Sequence, residues 1–377
     1  MTDPVSILQS LIRVPSITPA DRGAQKVLID LLEPAGYACY PLEFDGVSCL
    51  FARIDGPALG PHFCFSGHTD VVSVGDEARW SRPPFAAEIH DGVLYGRGAV
   101  DMKGGVAAFA AAALAFGRPK QGSISFLIVG DEEHTRNIGT VRTLAWMAEN
   151  GYVPDVCLVG EPTSLNECGD MIKIGRRGSL SGHVTVTGQQ GHVAYPDQAR
   201  NPLPVIGDIM HGLNGLKLDD GSAYFQPSNL EWVTVDTGNK AGNVTPAQVT
   251  ATFNIRFNDL HTHESLEALL TQDIQRHEQG GITVSVDWIR GAESFFSPPG
   301  DFATLVQDCV EGITGIRPVL DTIGGSSDAR FIYKYCPVLE FGPLCGLCHH
   351  VDERIPVDHL TKTAAVYRAV LDRYFSG

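Results

Sequence analysis

Positive charge is scarce in this 377-residue chain. It has 28 Lys and Arg against 44 Asp and Glu, a formal net charge of −16. Nucleic acids and anionic membranes need a basic face, so neither is expected as a partner. A small substrate bearing carboxylates stays open, because a few arginines in a cleft suffice for it. No run approaches the roughly 18 apolar residues that span a bilayer. The longest apolar stretch, VAAFAAAALAF at 106–116, is short and alanine-rich, and reads most simply as a tightly packed core helix. The first residues, MTDPVSILQSLIRVPS, lack a basic segment leading into a long apolar one, so no secretory signal is expected. The nine cysteines are odd in number and scattered. Cys49, Cys64 and Cys157 fall in apolar strand-like runs, where cysteine is a small core residue. A reducing, cytoplasmic compartment fits this usage. Internal repeats and low-complexity linkers are missing too.

What is present is an ordinary globular composition, 43% apolar and 19% charged, with length enough for two domains. Residues 4–36 read as two amphipathic helices around a proline-containing break. Strand-like runs at 62–66, 124–130, 155–160 and 338–342 alternate with helical stretches at 104–116, 138–150, 300–312 and 358–375. This alternation predicts an α/β domain, a mostly parallel sheet flanked by helices. From about 178 the pattern changes to strand, helix, strand, strand, helix, strand, the order of a ferredoxin-like α+β sandwich. The reading is therefore a discontinuous catalytic domain, 1–177 and 291–377, with a second domain inserted at 178–290.

Several strands end alike. FCFSGHTD places His68 and Asp70 just past a glycine, and FLIVGDEEH does the same for Glu132 and Glu133. VCLVGEPTS presents Glu161, and LEFGPLCGLCHH leads to His349. Asp101 lies in the glycine-rich turn YGRGAVDMKGG. In open α/β sheets, sites form beyond the carboxyl ends of the strands. If these strands are neighbours, His68, Asp101, Glu133, Glu161 and His349 converge. Two histidines and three carboxylates without thiolates suit zinc. Five ligands exceed one open catalytic ion but suit two that share a carboxylate. This accounts for adjacent glutamates at a strand end: one is neutralised as a ligand, and the other is free to act as general base.

GHTDVV, YGRGAVDMKGG, GDEE, VGEPTS and the late His349 resemble the dinuclear zinc amidohydrolases, which include aminoacylases, acetylornithine deacetylases and glutamate carboxypeptidases. IKIGRRGSL, GHVAYP, GNVTP, FNIRF, GGSSDARF and HHVDERIPV are similar to the desuccinylase branch, which acts on N-succinyl-LL-2,6-diaminopimelate in the route to lysine and cell-wall precursors. The resemblance runs from about residue 6 to the C-terminus. It implies two Zn2+ per subunit, replaceable by Co2+ or Mn2+, with Asp101 bridging, His68 and Glu161 completing one site, and Glu133 and His349 the other. It implies Glu132 as general base, and Asp70 as the hydrogen-bond partner of the second nitrogen of His68. It also implies a homodimer through the inserted domain, whose His192 reaches the partner's site and stabilises the oxyanion. Arg176, Ser179, Tyr195, Asn243, Arg256, Gly325 and Ser326 match positions that hold the substrate's carboxylates and amide.

Two positions depart from the family: Ser326 replaces the usual Thr, and Cys345 replaces the usual Asn. Other amide hydrolases of the family, or an inactive metal-binding scaffold, are the competing readings, and the intact Glu132 argues against the scaffold. CGLCHH at 345–350 has no second cysteine pair to complete a thiolate zinc site. His62, His90, His183, His211, His261 and His263 show no ligand pattern and read as surface or packing residues.

Overall fold

The computed structural model describes residues 3–134 and 138–376. They divide into a first unit, Met1–Ile174, Ser297–Asp321 and Ser327–Gly377, and a second, Gly175–Phe296 with Thr322–Ser326. The first unit is an α/β fold built on an eight-stranded sheet. Across it the strands are Ala38–Phe44, Val47–Asp55, Gln121–Val129, Ala58–His68, Val156–Val159, Val338–Glu340, Met171–Lys173 and Val319–Asp321. The four from Gln121–Val129 to Val338–Glu340 run parallel. Their near-continuous apolar runs follow from burial on both faces; residues 62–68 are all buried.

Side chains alternate across a strand, so the two faces can be told apart. Phe51 pairs in register with Leu127, which puts Phe126 on the opposite face. Phe126 packs edge-on to Phe109 of helix Lys103–Phe116, and Phe65 stacks on that ring at 4.2 Å. Phe51 instead meets Trp146 of helix Gly139–Glu149. Helices therefore cover both faces. Tyr367, on the terminal helix Val357–Tyr374, closes the first cluster. No helix among the described residues is long and apolar enough to cross a membrane.

Of the hairpin 38–55, only the inner strand around Cys49 was expected. Its edge strand is half exposed along its length, so no apolar run announces it. The turn does carry a signal: Asp45 and Gly46 both take positive φ, 52° and 85°, as a two-residue Asp-Gly hairpin loop requires. The strands Met171–Lys173 and Val319–Asp321 have three residues each, too few to show a period.

In the second unit a four-stranded antiparallel sheet runs Asn229–Asp236, Gln248–Phe257, Gly178–Thr187, Thr283–Arg290. Helices Pro202–Asn214 and His263–Gln275 share its core, where Val184, Ile206, Phe253 and Leu270 are buried together. Element order and strand order are those of a ferredoxin-like sandwich.

His62 is a packing residue of the first unit. It is buried, and its Nε2 lies 2.7 Å from Ser125 Oγ. Burial, with the Arg53 guanidinium adding to it, pulls its pKa down to about 4. The unfolded chain then binds the extra proton first as pH falls from about 6.5. The stability this neutral histidine contributes is fully present above that value and is lost on acidification towards pH 4. His62→Gln should flatten the slope of unfolding free energy against pH in this window, as measured by urea titration. An unchanged slope would contradict the assignment.

Candidate metal centre

The parallel strands deliver their carboxyl ends to one edge. His68 pairs in register with Val129, so Gly130 and the two glutamates follow beside it. Ser66 pairs with Val159, which puts Glu161 on its other side. His349 lies in the loop beyond strand Val338–Glu340, with φ of 65°. That left-handed conformation is uncommon outside glycine, though histidine is among the residues enriched there. Asp101 comes from the turn preceding helix Lys103–Phe116. Glycine makes this approach feasible: a Cβ on Gly105 would lie 2.1 Å from the carbonyl oxygen of Gly160, and one on Gly104 would lie 2.3 Å from that of Ala99.

The two oxygens of Asp101 face different histidines. Oδ1 is 3.4 Å from His68 Nε2, and Oδ2 is 3.3 Å from His349 Nε2. Two ligands at 2.0–2.1 Å from one tetrahedral zinc lie roughly 3.3–3.5 Å apart, so both spacings suit a shared ion. Glu161 Oε1 is 3.7 Å from His68 Nε2, while Glu133 Oε1 is 2.7 Å from His349 Nε2. The donor atoms of His68, Asp101 and Glu161 all lie within 4.8 Å of one another, as do those of Asp101, Glu133 and His349. A third such group joins His68, Glu132 and Glu133. Glu132 stands further off, 4.0 Å from His68 Nε2. None of these groups among the described residues includes a cysteine. Cys345 and Cys348 are half-buried free thiols in a turn closed by the Cys348 amide donating to the Cys345 carbonyl.

His68 Nδ1 lies 2.9 Å from the main-chain oxygen of Asp70. A carbonyl only accepts, so Nδ1 carries the hydrogen and Nε2 is left as a lone pair. That Nε2 is buried without a hydrogen-bond partner among the described residues, and it faces three carboxylates. Acceptors gathered on acceptors need a cation. With nitrogen and carboxylate oxygen donors only, the residues fit divalent metal. In its absence protons take that place. Burial lowers the affinity of His68 for a proton, but Asp101 and the surrounding acids outweigh it and raise the pKa well above its ordinary value. His349 is raised to about 10 by Asp101 and Glu133. Burial acts to raise the pKa of Asp101, yet the His349 and His68 imidazoles beside it bring it below the usual range. Glu132 is pushed well above its usual range, chiefly by burial, with Asp328, Glu161 and Glu133 adding to it.

The Asp70 carboxylate stands beside His68 and has a second task. It lies 3.5 Å from His68 Nδ1, which the carbonyl oxygen already occupies. Its oxygens also accept from the amides of Glu132 and Glu133, at 3.2 and 3.1 Å. Asp70 thus pins the main chain that carries both glutamates.

The family model for peptidase family M20/M25/M40 matches residues 64–373. The chain belongs to this family. Among its M20 relatives, the succinyl-diaminopimelate desuccinylase of Rhodopseudomonas palustris strain HaA2 is 51% identical over 385 residues, covering 98% of each chain. That of Bradyrhizobium sp. strain BTAi1 is 49% identical and covers all of both. Solved structures agree in fold: aminopeptidase PepT from Bacillus cereus superposes with a TM-score of 0.82 at 18% identity, covering 100% of this chain and 98% of that one. A Bacillus subtilis M20 protein described as a dinuclear metal-binding peptidase gives 0.73 at 15%, covering 99% and 97%.

The other M20-like positions lie in the second unit, in three groups. His192, Tyr195 and Asn243 are exposed neighbours: the His192 and Tyr195 rings are 5.7 Å apart, and the Val193 amide donates to the Asn243 carbonyl. Ser179 and Arg256 are register partners on adjacent strands. Arg176 is buried, with its Nη1 beside Gly324, next to the exposed Gly325 and Ser326. Sequence reasoning passed over Arg97 and Glu353, buried residues hydrogen-bonded to the turn of Asp101 and the loop of His349. Arg97 sits between two glycines and Glu353 between two other charges, and neither has a ligand spacing to mark it.

Gly105→Ala should force the helix away from Gly160 and misplace Glu161 relative to Asp101. Divalent-metal affinity, measured by calorimetric titration, should fall at least about 10-fold, the scale on which disturbed ligand support acts. Unchanged affinity would contradict the close-approach argument.

Proposed function

We propose that this M20 chain is a two-zinc amide hydrolase that converts N-succinyl-LL-2,6-diaminopimelate and water into succinate and LL-2,6-diaminopimelate. The observation that carries the chemistry is the Asp101 carboxylate, with one oxygen turned to each histidine. The substrate rests on the desuccinylase relatives, about half identical over nearly the full chain.

His68, Asp101 and Glu161 would hold one ion, and Asp101, Glu133 and His349 the other. Bound zinc supplies Lewis acidity at the amide carbonyl and acidifies water. Glu132 takes the proton from the attacking water and passes it to the leaving amine. Asp70 holds the Glu132 and Glu133 amides, so the base and its neighbouring ligand keep one orientation. His192 Nδ1 accepts from the Ala194 amide at 3.0 Å, so the neutral ring carries its hydrogen on Nε2. That is the donor an oxyanion needs. In this reading His192 serves the active site of the second copy in a homodimer formed through the second unit. Arg176 and Arg256 bind substrate carboxylates, to which a guanidinium fork is matched. Ser179, Tyr195, Asn243, Gly325 and Ser326 would meet the rest of the substrate, with Ser326 keeping the hydroxyl of the usual threonine.

Hydrolysis of N-succinyl-LL-diaminopimelate should be fast and abolished by a chelator, beside slow or absent turnover of N-acetylornithine and N-acyl amino acids. Chelator-sensitive turnover of N-acetylornithine alone would keep the hydrolytic mechanism and reject the substrate. No turnover of any of them would reject the enzyme. Glu132→Ala should lower kcat by about 10²- to 10⁴-fold, the scale of general-base removal, with metal binding retained. Normal activity would remove Glu132 as base. His192→Ala should lower kcat by about 10²- to 10³-fold, as loss of an oxyanion donor does, at unchanged metal content. An unaffected rate would take it out of the reaction.

A further inference from the structure

Behind the ligands lies a buried ion pair that touches both halves of the centre. Arg97 is 2% exposed and Glu353 is fully buried, with Nη1 and Oε2 2.7 Å apart. Glu353 faces the turn that carries Asp101. Oε2 accepts from the Gly98 amide at 3.0 Å, and Oε1 from the Val100 and Asp101 amides at 2.9 and 3.1 Å. Arg97 faces the loop that carries His349. Its guanidinium donates to the carbonyl oxygens of His349 and His350 at 3.3 and 3.2 Å, and to that of Ser73 at 3.2 Å. One pair thus joins the main chain of two proposed ligands some 250 positions apart in sequence, at 101 and 349. The short strands Val93–Tyr95 and Arg354–Pro356 pair antiparallel and bring the two residues together.

The pair is a poor choice for stability alone. Burying two charges costs about as much as their attraction returns, and apolar residues of similar volume often do as well. Arg97 Nε is also buried without a partner among the described residues, a further cost. What the pair supplies is geometry. Three amides converging on a carboxylate fix the path of the turn, and a planar fork reaches three carbonyls where a lysine ammonium, a compact point charge, reaches fewer.

We propose that Arg97 and Glu353 are positioning residues that set the placement of Asp101 and His349, and through it the affinity of the metal centre. The proposal rests on the two-metal reading above and assigns different effects to the two residues. Glu353 orients Asp101, which both ions share, so its loss weakens both. Arg97 orients only the His349 side, so its loss weakens one.

The test is calorimetric titration of metal-free wild type, Arg97→Lys and Glu353→Gln with Co2+, paired with thermal unfolding of each protein with and without the metal. Wild type should take up two equivalents. In Arg97→Lys one binding step should weaken about 10- to 100-fold, the usual effect of removing a ligand's supporting partner, while the other is unchanged. In Glu353→Gln both steps should weaken, and the rise in Tm on adding metal should shrink, since that rise follows affinity. A purely structural pair would lower the metal-free Tm and leave both affinities at the wild-type value, which would overturn the proposal. If Glu353→Gln does not fold, Arg97→Lys, which keeps the buried positive charge, decides alone. Wild type that takes up no Co2+ would instead sink the two-metal reading itself.

Discussion

Four carboxylates at one sheet edge repel each other, and the first unit is organised around that repulsion. Asp101, Glu132, Glu133 and Glu161 surround two imidazoles, and the buried His68 Nε2 meets no donor among the described residues. Such a cluster is tolerable only if positive charge enters it, as protons on the histidines or as metal ions. The rest of the architecture keeps these groups from relaxing apart. Parallel strands fix the spacing of His68, Glu133 and Glu161. Gly104 and Gly105 let a helix start press the Asp101 turn against them.

The graded exposure of the centre fits its proposed work. His68 is 1% exposed and the carboxylates 11–13%, while His349 is 49% exposed. A deeply held face gives rigid ligands and a low local dielectric, which strengthens each charge interaction. An open face admits substrate and water. Asp70 and the Arg97–Glu353 pair act on main-chain amides and carbonyls rather than on side chains. This is the economical way to hold a loop, because one buried carboxylate satisfies several amides at once.

Much of this was readable from the sequence, and for physical reasons. Buried parallel strands are apolar throughout and end in glycine, so FLIVG and VCLVG announce both a strand and the place where its residues surface. The strands of the second unit alternate and declare a half-exposed sheet. What escaped notice has weak local signals. In the hairpin 38–55 the apolar run around Cys49 marks the inner strand, but the edge strand is half exposed and only Asp45-Gly46 betrays its turn. The segment Thr322–Ser326 belongs to the second unit although it is flanked by the first on both sides, and five residues carry no periodicity. The carboxylate of Asp70 lies beside His68 Nδ1 and also accepts from the Glu132 and Glu133 amides, a task that no local pattern shows because it depends on the turn's path. Arg97 and Glu353 are two charges far apart in sequence, and only the folded chain pairs them.

The central claim is that the cluster around Asp101 holds two metal ions. Anomalous diffraction at the zinc edge from crystals of the zinc-loaded protein tests it most directly. The account predicts two peaks flanking the Asp101 carboxylate, one nearer His68 and Glu161, the other nearer Glu133 and His349. A single peak, or zinc bound elsewhere with none beside Asp101, would contradict it.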